Sequence, residues 1–183
     1  VTKIFESHGL SIFDVEELTT HGGSLRIFAK HTEDTSKAIS VNVARIMDDE
    51  MNAGFKNLDT YKAFSRNIQV TKRNILSFLI KLKNEGKSIV GYGAPAKGNT
   101  LLNYCGIGTD FLDYTVDRSP HKEGLFLPGS HIPIYSPDKI IETKPDYVVI
   151  LPWNIKEEVM HQMQIIKEWN GKFVIFIPQV EVF

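Results

Sequence analysis

The sequence predicts an α/β fold with a mostly parallel sheet and helices on both faces, and three observations carry that reading. From Lys87 onward, short apolar runs alternate with helical patterns. Those runs lack the in–out alternation of half-exposed strands; Asp146-Tyr147-Val148-Val149-Ile150-Leu151 has the continuous apolar character of a strand buried on both faces. Strand–helix–strand units of this kind pair in parallel through right-handed crossovers. Length and composition agree. A chain of 183 residues is one domain plus an appendage, and 42% hydrophobic with 23% charged residues is globular composition.

Val1 to Leu10 reads as the last turns of a helix, with Ile4 and Phe5 as its apolar positions and Gly9 suited to a left-handed stop. The start of that helix is missing, so the chain is expected to be a piece of something longer. Leu10 to Leu18 and Ser24 to Lys30 alternate around Thr20-His21-Gly22-Gly23, which predicts an antiparallel hairpin. Two strands alone are marginal in water, so the pair is expected to belong to a larger sheet. Ile39, Val43, Ile46, Met47 and Met51 then share one helical face, closed by Asn52-Ala53-Gly54. Asn57 or Asp59 caps a second helix, whose stripe runs Leu58, Tyr61, Phe64, Ile68, Ile75, Leu79 and Leu82 until Gly86 stops it. Its roughly 42 Å length can bridge two domains.

In the α/β part, Ser88 to Tyr92 is the first strand, and Gly98 to Cys105 is a helix with Leu101 and Leu102 inward. Tyr114-Thr115-Val116 is the second strand, ending at Asp117; a polar loop leads to Ile132-Pro133-Ile134. Ser136 caps a short helix with Pro137 at its first position. After the buried strand at Asp146 to Leu151, Asn154 and Glu157 resemble a capping box. Ile155, Val159, Met163 and Ile166 line the helix that follows, and Phe173 to Ile177 is the last strand. The expected division is 1–30 as the end of an upstream domain, 31–86 as bridging helices and 87–183 as the sheet domain.

Gly91-Tyr92-Gly93-Ala94-Pro95-Ala96 leaves a strand, enters a helix and fits GxGxxA, with Asp117 ending the next strand. That is the layout of a Rossmann-like fingerprint, in which glycines let the backbone approach a pyrophosphate. Pro95 removes one loop N–H and Lys97 adds a mobile cation, both unusual for a dinucleotide site. A phosphate-bearing ligand, a dinucleotide and a purely structural glycine turn therefore all remain open at this point. The loop from Asp117 leaves the edge where open α/β sheets bind ligands. Asp117 can accept from a ribose or base, while Arg118, His121 and Lys122 are donors suited to a diphosphate; a solvated surface loop is the plainer alternative. On the same edge, Trp153 can stack on a flat ring or simply pack.

Several functions are excluded or disfavoured. A net charge of −1 argues against a nucleic-acid binder. No apolar stretch reaches membrane-spanning length and no leader opens the chain, so a cytoplasmic location is expected. Cys105, the single cysteine, excludes an internal disulfide and a multi-cysteine zinc site. His8, His21, His31, His121, His131 and His161 lack metal-ligand spacing, so no metal is expected. No acid, base and nucleophile occur together, and alone the chain looks like a binding module.

Three motifs in order, Thr20-His21-Gly22-Gly23-Ser24-Leu25-Arg26, then Gly91 through Ile107, then Asp117 through Gly129 with Ile132-Pro133-Ile134, resemble the C-terminal part of the nucleotide-sugar C-methyltransferase family. The likeness spans about Gly9 to Phe183. It implies an S-adenosylmethionine-dependent enzyme that methylates a keto-deoxysugar carbon through an enolate. By that resemblance the family's zinc-binding piece is absent here, the methyltransferase domain is represented only by what looks like its last helix and hairpin, Val1 to Lys30, and the motif thought to hold the catalytic base would lie just upstream of Val1. The resemblance therefore places the catalytic residues and the S-adenosylmethionine site upstream of Val1, with no cofactor in this fragment and no activity from it alone. What remains would grip a nucleoside-diphosphate sugar. The fingerprint contributes Gly91; by motif, Gly93, Ala94, Lys97 and Asn99 fall on the diphosphate loop, and Asp117, Ser119, His121 and Lys122 on the facing one. Trp153 completes the candidate substrate-binding set. The implied partners are the substrate and the upstream methyltransferase domain of the same chain, with a homodimer left open. The competing readings are a stand-alone NAD(P)-binding oxidoreductase domain and a nucleotide-sensing module.

Overall fold

The computed structural model describes residues 1–183, which form two compact units, Val1–Ser65 and Arg66–Phe183. The first unit opens with helix α1 (Thr2–Glu6) and the antiparallel pair β1 (Leu10–Leu18) and β2 (Ser24–His31). The predicted hairpin is present, joined by a single 3-10 turn at Thr20–Gly22. Within the unit the pair stays two-stranded, with α2 (Val41–Asn52) packed against β1, where Ile12 and Val15 are buried. Ser40 starts α2, its hydroxyl accepting from Asn42 N–H at 3.2 Å.

Helix α3 (Leu58–Asn84) is 27 residues long, starting in the first unit and ending in the second. Asn57 caps it: its side-chain oxygen accepts from Asp59 N–H at 2.9 Å. Its apolar stripe is not uniform. Leu58, Tyr61 and Phe64 are exposed, whereas Ile75, Leu79 and Leu82 are buried in the second unit. No helix is long and apolar enough to cross a membrane.

The second unit is built on β3 (Ile89–Tyr92), α4 (Ala96–Cys105), β4 (Thr115–Val116), β5 (Ile134–Tyr135), α5 (Asp138–Thr143), β6 (Tyr147–Ile150), α6 (Lys156–Gln162), β7 (Lys172–Ile175) and β8 (Glu181–Val182). The sheet order is β5-β4-β3-β6-β7-β8; every neighbouring pair is parallel except β7 with β8. Period-two geometry sends successive side chains to opposite faces. Ile89, Val149, Leu151 and Val174 meet Leu79, Leu82 and Leu102 on one face. Val90, Val148, Ile150 and Phe173 meet Ile140, Val159 and Met163 on the other. Both cores are apolar, which explains why these strands carry no alternation in sequence.

The predicted α/β architecture is therefore present, with local differences. The antiparallel β8 is only two residues long, too short to signal a strand. Ser136 does not cap α5; Pro137 occupies the cap position and no side chain bonds there. Asn154 forms no capping box either, because its side chain is drawn to Lys97. The last predicted helix is split into α6 and a 3-10 stretch, Gln164–Trp169, ended by Asn170 in the left-handed region at φ 62°.

Candidate functional site

The strand order reverses between β3 and β6, and in an open α/β sheet that reversal leaves a crevice beyond the carboxyl ends of the two strands. β3 delivers Gly91-Tyr92-Gly93 there, and neither Gly91 nor Gly93 has room for a side chain. A Cβ on Gly91 would stand 2.6 Å from Thr115 Oγ1. Gly93 has φ +89°, and its Cβ would stand 2.7 Å from Pro152 Cδ, on the loop after β6. Gly98 lies against the end of β6, where its Cβ would be 2.8 Å from the Cβ of Leu151. The GxGxxA reading put Ala96 at the third small position, but the close packing of helix on strand falls at Gly98. The helix was expected to start at Gly98, so its interior position, where glycine costs about 1 kcal/mol relative to Ala and needs a packing reason, emerges only with the helix start at Ala96.

The loops are tied together by hydrogen bonds. Thr115, fully buried at the start of β4, donates its hydroxyl to the Gly93 carbonyl at 2.9 Å. Asp117 Oδ2 accepts from Ala94 N–H at 2.7 Å and from Lys122 Nζ at 3.0 Å, and Oδ1 accepts from Ser119 N–H at 2.9 Å. Lys122 also donates to the Ala94 carbonyl at 3.1 Å. Burial pushes the Asp117 carboxyl up, but the bonds from Ser119, Lys122 and Ala94 outweigh it and hold the group below its ordinary value. Three of its roughly four acceptor positions are thus used within the protein. That matches a loop-joining residue better than an acceptor for both hydroxyls of a ribose.

Further out, Asn103 Nδ2 donates to Asn99 O and to Pro128 O, each at 2.9 Å, and so pins the long loop onto α4. Gly129 leaves room for this contact, since a Cβ there would collide with Asn103 Oδ1. Sequence reading missed Asn103 and Thr115, because neither has a motif of its own. His121 is exposed on the same loop, and Arg118 reaches Glu158 at 3.5 Å across exposed surface.

Across the crevice from the glycine turn stands the loop after β6. Lys97, in the first turn of α4, hydrogen-bonds Asn154 Oδ1 and places Nζ 4.5 Å from the centroid of the Trp153 ring. Burial lowers its pKa from the ordinary lysine value. The structure thus brings Gly91, Gly93, Ala94, Lys97 and Trp153 together at the switch point and joins Asp117, Ser119 and Lys122 to them through the loop network.

An open, mostly parallel sheet whose strand order reverses between β3 and β6, with a glycine turn at the end of β3, defines the Rossmann-type class of α/β domain. The family described as the C-methyltransferase C-terminal domain matches residues 19–178, and this chain belongs to that family. It is 34% identical over 179 residues to the C-methyltransferase NovU of Streptomyces niveus. The match covers 98% of this chain and 42% of that relative, so the chain spans less than half of the relative's length. Among solved structures, UDP-D-quinovosamine 4-dehydrogenase from Vibrio fischeri is similar with a TM-score of 0.38 and 20% identity, covering 51% of this chain and 79% of that one.

Proposed function

We propose that this chain is the substrate-gripping C-terminal domain of an S-adenosylmethionine-dependent C-methyltransferase acting on a nucleoside-diphosphate keto-deoxysugar. The observation that carries the reading is Lys97 at the mouth of the switch-point crevice, in a chain of the C-methyltransferase family. The first N–H groups of α4 have no intrahelical partner and favour an anion, and the ammonium adds a charge-assisted donor beside them. In this reading Lys97 and the turn at Gly93-Ala94 hold the diphosphate, and Asp117 and Lys122 act as positioning residues that keep the turn in shape.

In this reading an upstream domain would hold S-adenosylmethionine, which would supply an electrophilic methyl group for the sugar carbon. The task of this chain is positional: gripping the nucleotide tail orients the reacting carbon at the remote centre. Residues 1–30 are proposed to close the upstream domain. A stand-alone NAD(P) domain is the weaker reading, because Asp117 is committed to protein donors and Pro95 removes a loop N–H.

Calorimetric titration of UDP, dTDP and GDP against the wild type and Lys97→Ala tests the grip. The variant is expected to bind its diphosphate roughly 10- to 100-fold more weakly, as for loss of one charge-assisted bond. Unchanged affinity would remove Lys97 from the site. The chain by itself is also expected to transfer no methyl group from S-adenosylmethionine to such a sugar, and turnover by the purified chain would overturn this division of labour.

A further inference from the structure

We infer that Lys97 acts as an anion-operated cover on Trp153, so that the chain stacks a planar base on that ring only after a diphosphate has drawn the lysine away. The inference rests on the diphosphate reading above and adds to it an order of recognition and a specificity-determining residue.

Four observations support it. Lys97 Nζ lies over the Trp153 ring, 4.5 Å from the centroid. The same ammonium is tied down from the side by Asn154 Oδ1, so the cover is held by two partners on one short loop. The ring itself is half-buried and packed against the core face that contains Val159 and Met163. Finally, Pro152 fills the space beside Gly93, which fixes the tryptophan loop relative to the turn proposed to take the anion.

The physical consequence is competition. An ammonium on an indole face is attracted by the ring quadrupole, and the same face attracts a nucleobase by stacking. Both cannot occupy it together. A diphosphate competes for the same ammonium, as a stronger partner than a neutral amide oxygen and a ring. Moving Lys97 onto the diphosphate clears the face. Phosphate and base recognition are thereby coupled through one side chain, and the free protein discriminates against uncharged nucleosides. This coupling would let a nucleoside-diphosphate ligand outcompete the base alone by more than the sum of its parts.

The test uses Lys97→Met, with inorganic pyrophosphate, uridine and thymidine as probes and Trp153 emission as readout, taken as the difference between each protein and its Trp153→Phe counterpart. Uridine or thymidine is expected to bind Lys97→Met about two- to fivefold more tightly than the wild type, the reverse of the loss expected for diphosphates. Saturating pyrophosphate should alter Trp153 emission in the wild type and raise nucleoside affinity by a similar factor, with neither effect in Lys97→Met. Pyrophosphate that binds by calorimetry yet leaves both emission and nucleoside affinity unchanged overturns the cover and leaves the diphosphate reading standing. Absence of pyrophosphate binding to the wild type overturns both. Equal or weaker nucleoside binding by Lys97→Met overturns the cover whatever the anion does.

Discussion

Gly93→Ala is expected to lose about 2–4 kcal/mol of unfolding free energy, read as a lower urea midpoint at unchanged slope. Two costs combine at this position. Its φ of +89° is a conformation that a residue with a Cβ adopts only under strain, on the order of 1 kcal/mol or more. The added carbon also arrives 2.7 Å from Pro152 Cδ, a ring atom with little freedom to move aside. Relief requires the turn after β3 and the loop after β6 to separate, which opens the crevice that holds Lys97 and Trp153. Ligand affinity should therefore fall together with stability. A variant as stable as the wild type would show that the turn has slack.

Asp117→Ala is the second large effect, again about 2–4 kcal/mol. The substitution removes the carboxylate partner of Lys122, which keeps its bond to the Ala94 carbonyl, and leaves the Ala94 and Ser119 N–H groups without their acceptor. Asp117→Asn keeps the shape and loses the charge, so it should fall between the two. The pH dependence follows from the depressed carboxyl. A group with a folded pKa below its unfolded value of roughly 3.9 contributes its full stability above that value. The contribution is then lost as pH falls through the folded pKa. Wild type should accordingly lose stability faster than Asp117→Asn when urea midpoints are followed from pH 5 to pH 2. Parallel curves would remove Asp117 from the acid response.

The strands at Ile89, Val148 and Val174 were legible because burial on both faces removes polar residues altogether, a pattern that survives in sequence. The turn at Gly91-Tyr92-Gly93 was legible because backbone crowding admits little else. What escaped reading was whatever depends on a partner far along the chain. Asp117 looks like a ligand acceptor until Ala94 and Lys122 are seen to claim it, and Asn154 looks like a helix cap until Lys97 takes its oxygen. Asn103 carries no local signal at all, since its partner Pro128 belongs to a loop with no period. The split of the final helix likewise reflects how Ile166 and Trp169 pack, with the Trp169 indole N–H donating to Pro145 O at 3.0 Å, rather than any local propensity.

The two outer strands of the sheet bear on how the protein behaves at high concentration. An open sheet offers two rows of unpaired backbone groups, and each is a template on which another chain can grow. Here one margin is β5, two residues long, with Phe126 bridged to Pro133 just beside it. The other is β8, also two residues, turned antiparallel, with Lys156 reaching Glu181 at 3.6 Å and lying over the Phe183 ring. Neither margin presents a straight run long enough to seed a fibril, although the strands between them are among the most apolar in the chain. Shortening the chain before Glu181 would uncover β7, whose Phe173-Val174-Ile175 run, continued by Phe176, combines high β-propensity with no charge, and would turn a quiet border into a sticky one.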